Sequence, residues 1–244
     1  MPSTSETGHA KNVANFRSLI AFVTGYGATY NPSKNALKIA QLNSLANTGD
    51  TNLADIITKN TAYNTAVNNR IAAFDGLKQF ATRLINALAA TDATVEKVKD
   101  AKTFNRKIQG KRAGDKAVAP ADPSTPAPTS ISASQQSYDQ QIQHFAGLVS
   151  VLQSETSYTP NETDLKLTAL ATKQADLVAK NNAVDTAYTT VSNSRITRDK
   201  TLYNDTTGLV DTAAEVKQYI KSIFGASSAE YGQVKGIAFK KVKS

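Results

Sequence analysis

Residues in the second half of the chain fall in two adjacent rows with a seven-residue period, so that steps of three and four positions alternate between the rows. One row holds Leu170, Leu177, Val184 and Val191, and the adjacent row holds Leu167, Gln174, Asn181, Tyr188, Arg195 and Leu202. Such rows are typical of helices that pack at shallow angles, and polar members such as Asn181 can fix their register. Because no proline interrupts them, they predict one helix from about 162 to 204, roughly 65 Å long.

The first half carries a similar pattern with one interruption. Its rows are Ile56, Tyr63, Arg70, Leu77, Leu84 and, beside them, Val67, Phe74, Ala81, Leu88. The segment 47–51 adds three residues and contains Gly49-Asp50, which is a turn signal. We therefore expect the helix to stop there and to restart with Asp50 or Thr51 as its N-cap.

Each half opens with a short amphipathic helix and a Tyr-x-Pro turn. The helices contain Phe16 and Phe145 at matching places, and the turns are 30–32 and 158–160. Proline suits the first turn of the helix that follows, where its missing N–H costs nothing. The expected caps of those helices are Asn31 or Ser33 in the first half, and Asn161 or Thr163 in the second.

The second half ends in two further helices. Leu209, Val210, Ala213, Val216, Ile220 and Phe224 share one helical face. Gly225 is the expected C-cap of that helix, and Ser227 or Ser228 is expected to cap a last short helix.

One helical segment occurs twice in the chain. Residues 60–71 read NTAYNTAVNNRI and residues 185–196 read DTAYTTVSNSRI. We therefore predict an all-α protein of two tandem, related helical-bundle units with long, coiled-coil-like helices. The units are 1–112 and 135–244, and a Pro/Ala/Ser/Thr-rich linker, 113–134, joins them as a semi-rigid spacer.

Composition narrows the functional classes. The chain has no cysteine, which excludes disulfides, thiolate metal sites and cysteine nucleophiles. No apolar run is long enough for a signal peptide or a transmembrane helix, so we expect a cytoplasmic protein. The net charge of +8 lies in residues 1–112, which hold 15 Lys and Arg against 7 Asp and Glu. Such a basic half indicates either an anionic partner or a solvated basic surface.

No motif for catalysis, metal binding or cofactor binding stands out. The two histidines, His9 and His144, lack the Glu-x-x-His or His-x-x-x-His spacing of a metal site. There is no Gly-x-Ser-x-Gly elbow and no glycine-rich phosphate loop. We therefore expect no catalytic residue, no metal and no cofactor.

The repeated segment supplies a candidate contact site. Tyr63 and Arg70, like Tyr188 and Arg195, are seven residues apart and so share one helical face. They are either a partner-contact set or amphipathic residues at the edge of a bundle, with the arginines reaching to water. An enzyme site would require all four to converge on one pocket.

A basic cluster supplies a second candidate, an anion-contact site. Its members are Lys97, Lys99, Lys102, Arg106, Lys107, Lys111 and Arg112. Lys99, Lys102 and Arg106 fit one helical face, and Phe104 is interleaved with them in the sequence. The cluster is either a phosphate-binding surface or the C-terminal end of a helix, where the helix dipole stabilises cations. The basic tail around Lys240 and Lys241 receives the same two interpretations.

The C-terminal region resembles a group of proteins. The segments Gly208-Leu209-Val210 and Phe224-Gly225-Ala226-Ser227-Ser228, with the Tyr-x-Pro-x-x-x-x-Leu-Lys pattern, are similar to uncharacterised bacterial all-helical proteins. The resemblance covers most of the second half and, more loosely, the first. It implies a helical fold and carries over no functional residue.

These observations favour a non-enzymatic structural or scaffold protein. We expect it to act through helix-mediated self-association or protein binding, because an elongated unit is duplicated without site chemistry in either copy. The alternative is a basic anion- or nucleic-acid-binding protein that uses residues 97–112.

Overall fold

The structure is a computed structural model that describes residues 8–111 and 136–241. Every regular element in these ranges is helical, which confirms the all-α prediction. The α-helices are α1 His9–Gly25, α2 Ile39–Phe74, α3 Leu77–Ala89, α4 Val95–Ile108, α5 Tyr138–Gln153, α6 Leu167–Tyr203, α7 Leu209–Phe224 and α8 Ala229–Lys235. The predicted linker 113–134 and Arg112 lie outside the described residues.

The two long helices begin later than their predicted caps. A 3-10 turn, Asn35–Leu37, precedes α2, and a second, Thr163–Leu165, precedes α6. Neither turn has a side-chain cap, so the predicted caps at 31, 33, 161 and 163 are wrong. The single long helix of the second half is confirmed, since α6 runs for 37 residues without a break.

The predicted break at 47–51 is wrong, because α2 continues through it. Thr48 and Thr51 donate their hydroxyls to carbonyls four residues back, at 3.0 and 2.9 Å. A Cβ at Gly49 would lie 3.1 Å from Val13 Cγ2, so this glycine lets α1 pack closely against α2. Burial of Val13 offsets the cost of about 1 kcal/mol for glycine inside a helix.

The actual break falls where the sequence pattern predicts continuity. The helix α2 ends at Phe74, and α3 starts at Leu77 after Asp75 and Gly76. Gly76 has φ of 71°, in the left-handed region that glycine adopts without a Cβ penalty. The predicted row that runs from Arg70 through Leu77 is therefore divided between two helices.

The predicted ends of the last helices are confirmed. Gly225 follows α7 with φ of 98°, and the Ser228 hydroxyl accepts a bond of 3.1 Å from the Tyr231 N–H at the start of α8. Ser228 thus satisfies one of the free N–H groups at that helix start.

The chain forms two compact units that each take segments from both sequence repeats. The terminal unit combines residues up to Asn64 with residues from Ala187 onward, and the central unit is Thr65–Thr186. Both boundaries fall inside a long helix, α2 or α6. The predicted ranges 1–112 and 135–244 therefore describe sequence repeats, and each compact unit draws on both.

The terminal unit has its own core. Phe16 and Leu19 of α1 are fully buried with Leu209 and Val216 of α7 and Val234 of α8. The beginning of α2 and the end of α6 complete this core. Asn52 Nδ2 donates to Thr201 Oγ1 at 2.7 Å, and the Ser194 hydroxyl donates to Asp55 at 2.5 Å. These pairs show that α2 and α6 run antiparallel within this unit.

The central unit is built in the same manner from α3, α4 and α5, together with the end of α2 and the beginning of α6. Phe145 and Leu148 of α5 are fully buried with Leu84 and Leu88 of α3 and Ile108 of α4. The Lys173 ammonium donates to the Ala73 carbonyl at 3.3 Å, so the two long helices are antiparallel here as well.

Candidate interaction surfaces

Two of the four residues of the predicted contact site meet in the terminal unit. The rings of Tyr63 and Tyr188 lie 6.0 Å apart, tilted by 56°. Tyr188 is 55% exposed, so this aromatic pair forms part of the surface. Arg195 lies one turn or more along the same helix and donates to Asn60 Oδ1 at 3.4 Å.

Arg70 belongs to the central unit and has different partners. Its guanidinium lies 4.1 Å from the centre of the Tyr138 ring and donates to Asn181 Oδ1 at 3.2 Å. Asn181, 5% exposed, in turn donates to Asp139 at 2.8 Å. Tyr138 and Asp139 gave no signal in the sequence, because helical spacing relates residues of one helix and not their partners on α5.

These contacts favour the structural interpretation of the Tyr–Arg pair at Arg70. The half-buried guanidinium stacks on an aromatic face, a geometry that arginine stabilises through its planar charge. The Arg70 Nε is buried without a hydrogen-bond partner among the described residues. Arg70 and Arg195 thus belong to different compact units and have separate partners.

The isoleucine that follows each arginine was missed by sequence analysis. Ile71 in the central unit is 53% exposed, and its counterpart Ile196 in the terminal unit is 51% exposed. Large aliphatic side chains are mostly buried in folded domains. Ile71 also lines a shallow depression with Asn68, Phe74 and Tyr138. The last residue of each copy of the repeated segment is therefore an exposed aliphatic side chain.

The cations of the predicted basic cluster lie on and just after α4. Lys99, Lys102, Lys107 and Lys111 are exposed, and Arg106 is half-buried. Lys97 instead donates to the Ser154 hydroxyl at 2.9 Å. The predicted common face for Lys99, Lys102 and Arg106 is consistent with α4, which is helical throughout this stretch.

Phe104 does not share the basic face of α4. It packs against the core of the central unit, where a Cβ at Gly147 would lie 2.2 Å from its ring. Phe104 is five residues after Lys99 and two residues after Lys102, and these spacings place it on another side of the helix. Of the cations in the cluster, Lys107 lies over its ring, with the ammonium 5.7 Å from the ring centre.

The basic C-terminal segment is tied to the terminal unit. Lys241 pairs with Asp205 at 2.8 Å and with Asp211 at 3.1 Å. The backbone of Lys240 exchanges two hydrogen bonds with the Asn12 side chain, at 2.7 and 3.1 Å. This segment is therefore a packed part of the unit with its charge compensated.

The histidines occupy different surroundings. His9 shares a 2.7 Å hydrogen bond with the Tyr203 hydroxyl, and burial lowers its pKa, as does nearby Arg198. His144 is 4% exposed on α5, its Nε2 has no partner among the described residues, and burial lowers its pKa, as does Lys107. Both shifts favour neutral imidazoles.

A cleft of about 650 Å³ lies beside the Tyr-x-Pro turn of the central unit. Its wall is mostly polar and includes Arg83, which pairs with Asp164 at 2.7 Å. At its edge Ser157 donates to Glu155 at 2.7 Å, and these bonds lower the pKa of that carboxyl. The Arg83–Asp164 ion pair and the Ser157–Glu155 hydrogen bond therefore stabilise the turn.

Among the described residues, no three His, Asp or Glu side chains gather where they could hold a metal ion. No described helix combines the length and the hydrophobicity needed to cross a membrane. The chain matches no protein-family model, no curated protein and no solved structure.

Proposed function

We propose that this protein is non-enzymatic and acts by helix-mediated association, with a second copy or another protein, through the outward faces of α2 and α6. The observation that carries the proposal is the pair Ile71 and Ile196. These equivalent residues of the repeated segment are left 53% and 51% exposed in separate compact units. The cytoplasmic location expected from the sequence belongs to the same proposal.

Further exposed apolar side chains on the same helices support the proposal. Ile57 of α2 is 68% exposed, and Tyr188 of α6 is 55% exposed. The residues one turn after Ile57, Asn60 and Thr61, are polar and uncharged, and one turn before Ile196 lie Ser192 and Asn193. Charged residues, Asp199 and Lys200, follow Ile196 by one turn. Interfaces are typically depleted of charge at their centre, with aliphatic or aromatic anchors in a polar rim.

Sedimentation velocity over a range of concentrations tests the proposal on the full-length chain. Ile71→Asp with Ile196→Asp is the test variant, because a carboxylate cannot be buried in an apolar contact without a large cost. Ala40→Asp with Ala214→Asp is the matched control, since both alanines are exposed and lie outside the repeated segment. We expect association in the wild type and in the control, and a shift to monomer in the test variant.

If the wild type sediments as a monomer, the tagged protein is used to capture bound proteins from its native cells. The captured proteins then distinguish binding of a partner from failure of the proposal. A partner that is retained by the wild type and by the control, and lost with the isoleucine variant, supports the proposal. If the protein is a monomer and the wild type, the control and the isoleucine variant all capture the same proteins, the proposal is contradicted.

A further inference from the structure

The outward face of α4 combines apolar and cationic side chains in one stripe. Val95, Lys99, Lys102 and Arg106 follow one another at steps of four, three and four residues, which places them on one side of the helix. Val95 is 78% exposed, the largest value among the described large apolar residues. The opposite side holds Ala101, which is fully buried in the core of the central unit.

This stripe borders a shallow groove of about 400 Å³. Its lining residues are Ala89, Ala93, Val95, Val98, Lys99 and Lys102. Four of these residues are aliphatic, and Lys99 and Lys102 are the charged members of the lining. A groove of this composition suits a ligand that has an apolar side chain next to negative charge.

Within the described residues, the cations of the stripe, Lys99, Lys102 and Arg106, form no ion pair. Elsewhere in the described ranges, cations such as Arg17, Lys34 and Arg83 pair with Asp50, Glu215 and Asp164. None of the described ion pairs involves a cation of α4. Of the two acidic residues of α4, Asp100 is spaced to lie away from the stripe, and Glu96, three residues before Lys99, forms no described ion pair with it. An external carboxylate is therefore the complement that this face lacks.

We propose that the face formed by Val95, Val98, Lys99, Lys102 and Arg106 binds an acidic protein segment with an aliphatic anchor residue. The anchor enters the groove between Val95 and Val98, and carboxylates face Lys99, Lys102 and Arg106. This surface is separate from the isoleucines of the proposed function and does not depend on them.

The aliphatic lining favours an acidic protein segment over nucleic acid. Single strands are usually held by aromatic side chains on which bases stack. The aromatic residue of α4, Phe104, packs against α5 and the central core and is not part of this face. An exposed valine beside lysines offers a nucleic acid no equivalent contact, whereas it suits a leucine or valine flanked by glutamates.

The test uses the full-length chain and a labelled synthetic peptide of alternating Glu and Leu, with a Gln-and-Leu peptide and a single-stranded oligonucleotide for comparison. Fluorescence anisotropy at low and at physiological salt gives the affinities. We expect the Glu peptide to bind, the Gln peptide to bind at least about tenfold more weakly, and affinity to fall with salt.

Variants locate the site. Lys99→Glu with Lys102→Glu is expected to weaken binding by about tenfold or more, because two attractions become repulsions. Lys38→Glu with Lys166→Glu changes the net charge equally at exposed lysines elsewhere and is expected to change affinity less than about twofold. Val95→Asp is expected to weaken binding several-fold through loss of the anchor contact.

Three results would overturn the proposal. One is absence of peptide binding at low salt, and another is an equal loss of affinity in the control lysine variant. The third is tighter binding of the oligonucleotide with no effect of Val95→Asp, which would make this face a nucleic-acid surface. Circular dichroism melts of each variant verify that the helices remain folded.

Discussion

The helices α1 and α5 occupy matching places in the two compact units but differ in their polar side chains. Phe16 and Phe145 are each fully buried. Beside Phe16, Asn15 donates to the Ala238 carbonyl at 2.7 Å, and so holds the C-terminal segment. Beside Phe145, His144 is equally buried, but its Nε2 has no partner in the described part of the chain.

This difference shows which features of the common plan are constrained. The apolar positions match because both cores need the same shape, whereas the polar positions have diverged. In the terminal unit the basic C-terminal segment is held by Asn12, which donates to the Lys240 carbonyl, and the charge of Lys241 is compensated by Asp205. In the central unit the basic helix α4 is packed by its apolar side, with its cations left toward solvent. The described basic C-terminal segment therefore has carboxylate partners, whereas Lys99 and Lys102 of α4 have none among the described residues.

The largest expected effect comes from dividing the chain between its sequence repeats. Because Phe16 needs Leu209 and Val216, and Phe145 needs Leu84 and Ile108, neither half completes a core alone. We expect residues 1–111 and residues 136–244 to be largely unfolded when expressed separately and to recover helicity when co-expressed. Circular dichroism and co-purification measure both outcomes.

A control for this experiment is co-expression with Val216→Asp, which buries a charge in the terminal core and should prevent recovery of that unit. Cooperative unfolding of either fragment alone would show that the repeats fold as separate bodies. The comparison between two units of mixed origin would then be invalid.

The second prediction compares two glycines at close helix contacts. A Cβ at Gly147 would lie 2.2 Å from the Phe104 ring, whereas one at Gly49 would lie 3.1 Å from Val13. We expect Gly147→Ala to lower the free energy of unfolding by about 1–3 kcal/mol through overpacking. Gly49→Ala is expected to stay within about 1 kcal/mol of the wild type, because the gain in helix propensity offsets mild crowding. Urea denaturation measures both, and a larger loss for Gly49→Ala would contradict the ranking.

Much of the fold could be predicted from local patterns. The buried row that contains Leu177 and Val191 predicts α6, and Gly225 and Ser228 predict the last helix ends, since these signals lie within a few residues of their effects. The continuity of α2 at Gly49 could not be predicted, because it depends on Val13 of another helix. Periodicity identifies which face is buried but not which helix covers it.

The candidate site shows the same limit. The repeat located the exposed segment, and antiparallel long helices place Tyr63 beside Tyr188. The partners of Arg70 come from α5 and α6, so spacing along α2 carries no information about Asn181 or Tyr138. The exposure of Ile71 and Ile196 could not be predicted either, since an aliphatic residue in a helical pattern is normally counted as core.

The third prediction concerns a feature that both units share. Tyr30 donates its hydroxyl to the Leu37 carbonyl at 2.8 Å, and Tyr158 donates to the Leu165 carbonyl at 3.0 Å, with both rings buried. Replacement by Phe leaves a buried carbonyl without its donor, so we expect each variant to lose about 1 kcal/mol of unfolding free energy. Similar losses of unfolding free energy in the two variants would support the equivalence of the two turns. A loss in only one variant would show that the two hydrogen bonds do not contribute equally to stability.

Alkaline pH tests the same tyrosines without mutation. Burial raises the pKa of Tyr158 to about 12 and raises that of Tyr30 as well. Because the ordinary pKa is near 10, the unfolded chain loses these protons first. Stability is therefore full below pH 10 and falls as pH rises through the folded-state pKa. Tyr158→Phe should show a shallower fall, measured by denaturant titrations between pH 8 and 12, and an unchanged slope would contradict this origin.

The smallest expected effect compares the two basic regions directly. Lys241→Ala removes a cation that Asp205 and Asp211 share, so we expect a small decrease in melting temperature that salt diminishes. Lys102→Ala removes a cation without a carboxylate partner among the described residues and relieves repulsion on α4, so we expect no decrease. Thermal melts at low and high salt measure the contrast. An equal decrease for Lys102→Ala at low salt would mean that α4 charge has a structural role after all.

The pH dependence of Lys241→Ala separates loss of the ion pair from general damage. A hydrogen bond from the Thr206 N–H and the neighbouring Lys241 lower the pKa of Asp211. Its ionised form therefore stabilises the folded state above its ordinary pKa, and this contribution is lost as pH falls through the folded-state pKa. Removing Lys241 should weaken that dependence without abolishing it, because the backbone donor remains. Lys102→Ala should follow the wild-type profile, since only the terminal unit couples its basic segment to carboxylates.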